Sequence, residues 1–151
     1  MTYNKKDQKP AVTVKDSAGN TLKAADYSVS YAKDSKKPGV YSVKVTLKGN
    51  YSGSKTLSYT IIPSKTTVKL SAATKSSLKA SWSKVTDITG YEVQYATANS
   101  FKGAKTVKAN AKATSTTLKK LTKNKKYYIR VRSYKTVKVN GKNKTIYSAW
   151  S

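Results

Sequence analysis

The side chains of this chain that could carry out chemistry are few, and almost all of one kind. There is no histidine and no cysteine, so the usual general base, metal ligand and thiol nucleophile are all missing. The six acids are Asp7, Asp16, Asp26, Asp34, Asp87 and Glu92, and most fall in turn-like stretches. Glycoside hydrolysis needs two facing carboxyl groups roughly 5–10 Å apart. Asp87 and Glu92 are near in sequence, but Asp87 precedes a strand-like run on which Glu92 should point outward. With oxygen the only ligand type on offer, a bound transition metal is not expected. The acids therefore read as solvated surface groups, and no catalytic, cofactor-binding or metal-binding residue is expected.

Binding chemistry is better represented. Tyr128, Arg130, Arg132 and Tyr134 alternate along one stretch, with Glu92 and Gln94 alternating on another. If the two runs are neighbouring strands, tyrosine and arginine interleave on one face. Such a face can stack on sugars or bases and contact phosphates or carboxylates. The competing reading is an ordinary cross-strand ladder, with Glu92 neutralising an arginine and tyrosine covering its stem. A second candidate is the loop carrying Lys119, Lys120, Lys123, Lys125 and Lys126. It could engage anionic polymers by counterion release, or be a solvated turn. Lysine without arginine favours diffuse attraction over bidentate phosphate recognition. Trp150 could be an exposed sugar platform or a cover for a sandwich edge.

These residues need strands to position them, and strands are what the pattern gives. In the stretch Thr116–Tyr134, Tyr127, Ile129 and Val131 fall on one side and Tyr128, Arg130 and Arg132 on the other, the period of a half-buried strand. Apolar content is 37% and mean hydropathy −0.64, low values that raise the question of disorder. Twelve tyrosines and alternating valine and threonine runs answer it, because these residues suit pleated strands. No apolar stripe of helical period occurs. The expectation is an all-β chain.

The net charge of +25 is extreme, and Arg130 and Arg132 are the only arginines among 31 basic residues. Residues 1–62 hold 11 lysines and four acids, for +7; residues 63–151 hold 18 lysines, two arginines and two acids, for +18. A lysine excess keeps β-rich chains soluble and blunts strand edges, and it also attracts polyanions. Any polyanion site should favour the second half. No apolar run approaches the ~18 residues of a membrane span, and no secretory apolar region follows Met1. Met1 stands directly before a strand-like segment, which reads as an added start on a fragment excised from a longer chain.

Residues 1–62 read as one unit. Ala11–Lys15 alternates after Pro10, followed by the turn Asp16–Asn20; Tyr27, Val29 and Tyr31 alternate next; Pro38-Gly39 punctuates the chain. Tyr41, Val43, Val45 and Leu47 give the longest run, and Leu57, Tyr59 and Ile61 follow the turn Gly49–Gly53. Strand-like pieces at short intervals suggest a sandwich. The stretches TYNKKDQKPAVTVKD, DYSVSY and GVYSVKVTLKGNYSGSKTLSYTI resemble an immunoglobulin-like repeat of Gram-positive bacterial surface proteins. Pro63-Ser64-Lys65 forms a short junction, since proline ends one strand and holds its predecessor extended.

Residues 63–151 resemble a fibronectin type III domain. Thr67–Leu70 would be the first strand and Ser77–Trp82 the second, with Trp82 in the core. Gly90–Tyr95 would be the third, with Tyr91, Val93 and Tyr95 inward. Lys105–Lys108 and Ser115–Leu118 would follow, then Tyr127–Tyr134, and finally Thr145–Trp150 after the hairpin signal Asn140-Gly141. Leu121, a turn and Tyr127 match the family's tyrosine corner, in which the ring lies in the core and its hydroxyl bonds back to the backbone. The chain has no RGD sequence, so integrin attachment of that kind is not carried over. Some Gram-positive surface domains close a Lys–Asn isopeptide bond beside a buried acid. Glu92 is the only strand-borne acid here, and Tyr91 and Val93 take the inward positions beside it.

The resemblance implies two tandem β-sandwich domains, residues 1–62 and 63–151, from a secreted or wall-attached Gram-positive protein. They would be monomeric, would space and present other domains of the same parent protein, and would serve adhesion. The alternative is an accessory module that binds a host or plant glycan or an anionic wall polymer for a secreted enzyme. Intracellular nucleic-acid binding fits the charge but not the extracellular resemblance, so specific nucleic-acid binding is not expected.

Overall fold

The computed structural model describes all residues, Met1–Ser151. The chain is all-β, folds as two compact units, and its only helical turn is a 3-10 turn at Ala24–Asp26.

The first unit comprises Met1 and Tyr3–Ile61. It contains strands β1 (Tyr27–Tyr31), β2 (Gly39–Leu47) and β3 (Ser54–Ile61) in one antiparallel sheet of that order. The alternation read from sequence marks its core face, where Val43, Val45 and Ile61 are buried. Tyr59 packs there edge-to-face against Tyr31 and at a tilt against Tyr41. Three strands form, however, and the expected first one does not. Ala11–Val14 joins no ladder, and Lys15 makes only an isolated bridge to Thr21. Pro10 brings no donor, and the Asp16 carboxylate closes the following turn by accepting from the amides of Ala18 and Asn20. Val12 and Val14 are half-buried and Thr13 exposed, so the period of two reported which side faces inward, not whether the backbone is paired. The segment before β1 is tied to the sheet unit by a backbone bond from the Gln8 amide to the Ser35 carbonyl and by side chains. Tyr31 Oη donates to the Pro10 carbonyl at 2.6 Å, and the buried Ser35 hydroxyl donates to Asp7 and to the Gln8 carbonyl. A groove of about 530 Å³ remains between Val12–Lys15 and the β2–β3 hairpin, where Leu57 is exposed.

The second unit comprises Thr2 and Ile62–Ser151. Its strands are β4 (Val68–Thr74), β5 (Ser77–Trp82), β6 (Gly90–Ala96), β7 (Lys105–Asn110), β8 (Ser115–Leu118), β9 (Tyr128–Val139) and β10 (Lys142–Tyr147). They form two antiparallel sheets, β10-β9-β6-β7 and β4-β5-β8. The junction residues are already bonded into this unit: the Ser64 carbonyl accepts from Ser133 Oγ, and Thr66 Oγ1 donates to the Ser83 carbonyl.

Inward residues of both sheets make one core, in which Ala80, Tyr91, Val93, Leu118 and Val131 are essentially inaccessible to solvent. Trp82 stacks on Tyr91 with centroids 5.2 Å apart, and its indole N–H donates to the Ala113 carbonyl at 3.0 Å. The Tyr91 hydroxyl accepts from the Val85 amide at 2.7 Å. Burial pushes its ionisation above the ordinary tyrosine range, with the Val85 bond opposing it more weakly. The ionised phenol is thus disfavoured in the folded state. Its share of stability is complete below the unfolded value of about 10 and is lost as pH rises through the higher folded value. Between about pH 8 and pH 11, the urea midpoint of the native protein should fall more than that of Tyr91→Phe. Parallel curves would mean that this group plays no part, since lysine titration is common to both.

The turn before β9 is the predicted corner. Leu121 is buried, Tyr127 packs on the core, and Tyr127 Oη accepts from the Thr122 amide at 3.0 Å. Tyr127→Phe keeps the ring and removes the acceptor of that exposed amide. A small drop in the urea midpoint with an unchanged slope is expected; no change would remove the corner bond as a contributor.

β9 runs five residues beyond the predicted Tyr134. The reason is the two-residue turn Asn140-Gly141, both at positive φ (49° and 78°), which continues the β9–β10 ladder to Val139↔Lys142. The last strand correspondingly sits three residues earlier than predicted, at Lys142–Tyr147 rather than Thr145–Trp150. Most of the outermost strands carry lysine: Lys55 on β3, Lys69 on β4, Lys105 and Lys108 on β7, and Lys142 and Lys144 on β10.

Candidate functional site: the outer face of β6 and β9

Register places the polar residues of this face in pairs. Glu92 lies opposite Arg132, and Gln94 opposite Arg130. Arg132 Nε donates to Glu92 Oε2 at 2.6 Å, and its Nη2 pairs with the same oxygen. Arg130 donates from Nε and Nη2 to Gln94 Oε1 at 3.0 and 2.7 Å. Glu92 is on the outward side, as expected from sequence, yet it is covered to 8% exposure.

Aromatic rings cover the guanidinium planes. The Arg130 Cζ lies 4.0 Å from the Phe101 ring centre and 4.3 Å from that of Trp150. The Arg132 Cζ lies 4.2 Å from Trp150 and 3.7 Å from Tyr147. Rings and cations therefore alternate in the order Phe101, Arg130, Trp150, Arg132, Tyr147, and Tyr134 extends the series with its ring 6.1 Å from Tyr147. Lys108 stands over Tyr134 at 5.9 Å. Desolvated contacts of this kind contribute about 1–2 kcal/mol each.

Trp150 reaches its slot because the chain leaves the strand after Tyr147 and still follows β9. The amides of Ser148 and Ser151 donate to the carbonyls of Ser133 and Val131. In return the serine hydroxyls accept from the amides of Ser133 and Val131, at 3.0 and 2.9 Å. Hydroxyls thus take the place of ladder carbonyls, which lets the backbone turn while β9 keeps its partners. Phe101 comes from the β6–β7 turn, where it adopts a positive φ of 58°.

Of the residues expected on this face, Gln94, Arg130, Arg132 and Tyr134 are brought together. Tyr128 lies at the end of the face and is covered by Lys126, whose Nζ is 5.1 Å from its ring centre. Lys119, Lys120, Lys123, Lys125 and Lys126 form a separate, exposed loop between β8 and β9. Phe101 and Tyr147 were not singled out from sequence, and Trp150 was not placed between the arginines. The available signal was spacing: two aromatics three apart follow a strand whose two arginines are two apart.

The profile of the fibronectin type III domain matches residues 61–148, and that of the bacterial Ig-like domain (group 3) matches residues 6–68. No curated protein matches the chain. Among solved structures, a two-domain fibronectin type III segment of chicken tenascin aligns with a TM-score of 0.53 at 18% identity, covering 81% of each chain. The FN1–FN3 domains of chicken CNTN1 align with a TM-score of 0.47 at 23% identity, over 78% of this chain and 45% of that one. The first of these likenesses concerns the fold alone. Domains of the two matched families are typically non-catalytic and usually extracellular, and no helix here is long and apolar enough to cross a membrane. The profile over residues 61–148, the two-sheet sandwich and the tyrosine corner lead to one assignment: the chain belongs to the fibronectin type III family.

Proposed function

We propose that the chain is a non-catalytic spacer and adhesion segment of a secreted or wall-attached Gram-positive surface protein, with domains at residues 1–62 and 63–151. It acts as a monomer and positions other domains of the same parent protein. The observation that carries this reading is the ladder on β6 and β9. Both arginines are bonded to Glu92 and Gln94 along one edge and covered by rings on both faces. A face whose polar groups are satisfied internally stiffens its sheet and offers an incoming sugar little to bind.

A second reading, an accessory module for an anionic wall polymer or a glycan, is favoured by one observation, the exposed lysines of the loop Lys119–Lys126. The test is a panel of neutral glucan, sialylated mucin and an anionic wall polymer, each titrated with salt. The spacer reading expects no binding of neutral glucan, and anion binding that falls steeply with salt. If a glycan stays bound at high salt and Tyr128→Ala or Arg130→Ala releases it, the ladder is a recognition surface and the spacer reading fails.

A further inference from the structure

One end of the second unit carries a cleft of about 110 Å³ between the β4–β5 turn and the loop before β9, lined by Lys75, Ser76, Thr122, Asn124, Lys125 and Tyr127. Its walls are held in place without any ligand. The Leu121 amide donates to the Ser76 carbonyl at 2.9 Å and joins the two loops. The hydroxyls of Thr74 and Ser77 bond at 2.8 Å, and the Ser76 amide donates to Thr74 Oγ1. On the other side, the Tyr127 hydroxyl is fixed by Thr122, and Asn124 occupies the left-handed region at φ 59°.

The charge inside this frame is uncompensated. Asp87 and Glu92 are the only acids in residues 63–151. Glu92 is engaged by Arg132, and Asp87 lies in the connection between the far end of β5 and the start of β6. β5 begins at Ser77, beside the cleft, and ends at Trp82; Gly90, where β6 begins, pairs with Tyr134, while Ala96 pairs with Tyr128 next to the cleft. Topology therefore keeps Asp87 at the opposite end. Hydrogen bonding to Thr122 chiefly, with smaller contributions from Lys105 and Lys125, holds the Tyr127 ionisation below the ordinary range.

We propose that this cleft is a binding site for one phosphodiester group of an anionic polyol-phosphate chain. Two ammonium groups, the Ser76 hydroxyl and the Asn124 amide supply donors from both walls, suited to a tetrahedral oxyanion. Lys119, Lys120 and Lys123 on the same loop then meet neighbouring phosphates. A polyol is favoured over a nucleic acid because no ring is free for base stacking: Tyr127 packs on the core and Tyr128 is covered by Lys126. The proposal rests on the anionic-polymer reading of this loop and names its binding site; it does not depend on the spacer reading.

The test uses the full chain and poly(glycerol phosphate), followed by amide chemical shifts at near-physiological salt. Saturable shifts are expected at Ser76, Asn124 and Lys125. The double variant Lys75→Gln/Lys125→Gln should lose about tenfold in affinity, whereas Lys142→Gln/Lys144→Gln, equal in charge change but on the distant hairpin, should lose about twofold or less. All four lysines are exposed, so both variants keep the fold, which tryptophan fluorescence verifies. Equal losses in the two variants, or shifts that never saturate, reduce the effect to general charge and overturn the site. A single-stranded oligonucleotide or a sulfated glycan that binds the cleft as tightly overturns the ligand class. Salt-resistant glycan binding to the ladder would sink the spacer reading and leave this one standing.

Discussion

Glu92→Ala will destabilise the second unit by about 3 kcal/mol, the largest effect expected from any single polar substitution in the chain. The carboxylate is 10% exposed and its partner Arg132 is 23% exposed. Removing it leaves a guanidinium sandwiched between Trp150 and Tyr147 with no counter-charge. Loss of one member of a buried pair costs about 3–5 kcal/mol, and the partial exposure of Arg132 puts this case at the lower end. The second substitution decides what the pair is for. In Glu92→Leu/Arg132→Met the orphaned charge is gone, and stability should recover to within about 1 kcal/mol of the native protein. Both tryptophans, Trp82 and Trp150, lie in residues 63–151, so fluorescence during urea unfolding reports this unit without interference from the other. A single variant as stable as the native protein would mean that the ion pair is a surface ornament; a double variant as weak as the single would mean that ring stacking on Arg132, not charge balance, holds the face.

Trp82→Ala should cost about 4 kcal/mol, enough to leave a domain of ordinary stability close to unfolding. The side chain fills the space between the sheets against Tyr91, and its N–H satisfies the Ala113 carbonyl. Truncation opens a cavity and orphans a carbonyl at one stroke. Trp150 remains as the fluorescent reporter. Trp82→Phe retains most of the packing and loses the hydrogen bond, so roughly 1–2 kcal/mol is expected. If alanine and phenylalanine cost the same, the hydrogen bond rather than the packed volume is the main contribution of Trp82.

The sequence was most informative where alternation and a specific turn coincide. β5 and β8 begin and end where expected: Ser77–Trp82 is an alternating run, and both segments are bounded by polar turns. The inward positions of Tyr91, Val93, Ile129 and Val131 followed from the same period. Ala11–Lys15 shows the limit of that signal: side chains alternate between covered and exposed, yet no neighbouring strand takes up the backbone groups. Pairing is a property of two segments, and a single run does not encode its partner. The ladder shows a different limit. Arg130, Arg132, Glu92 and Gln94 were legible as one face because they lie on adjacent strands in simple register. Phe101 and Trp150 were not, since each arrives from irregular backbone, one by a left-handed turn residue and the other by a tail whose serines imitate a strand.

The lysines of the outer strands also set a length scale. For two copies to join edge to edge, their backbones must come to about 4.8 Å. At physiological ionic strength charges still repel across about 8 Å, so Lys105, Lys108, Lys142 and Lys144 on the edges of the larger sheet oppose an approaching copy before any hydrogen bond can form. In molar salt that reach shrinks to about 3 Å, shorter than the joining distance. Crowded together, such chains stay apart in dilute electrolyte and lose that protection in brine.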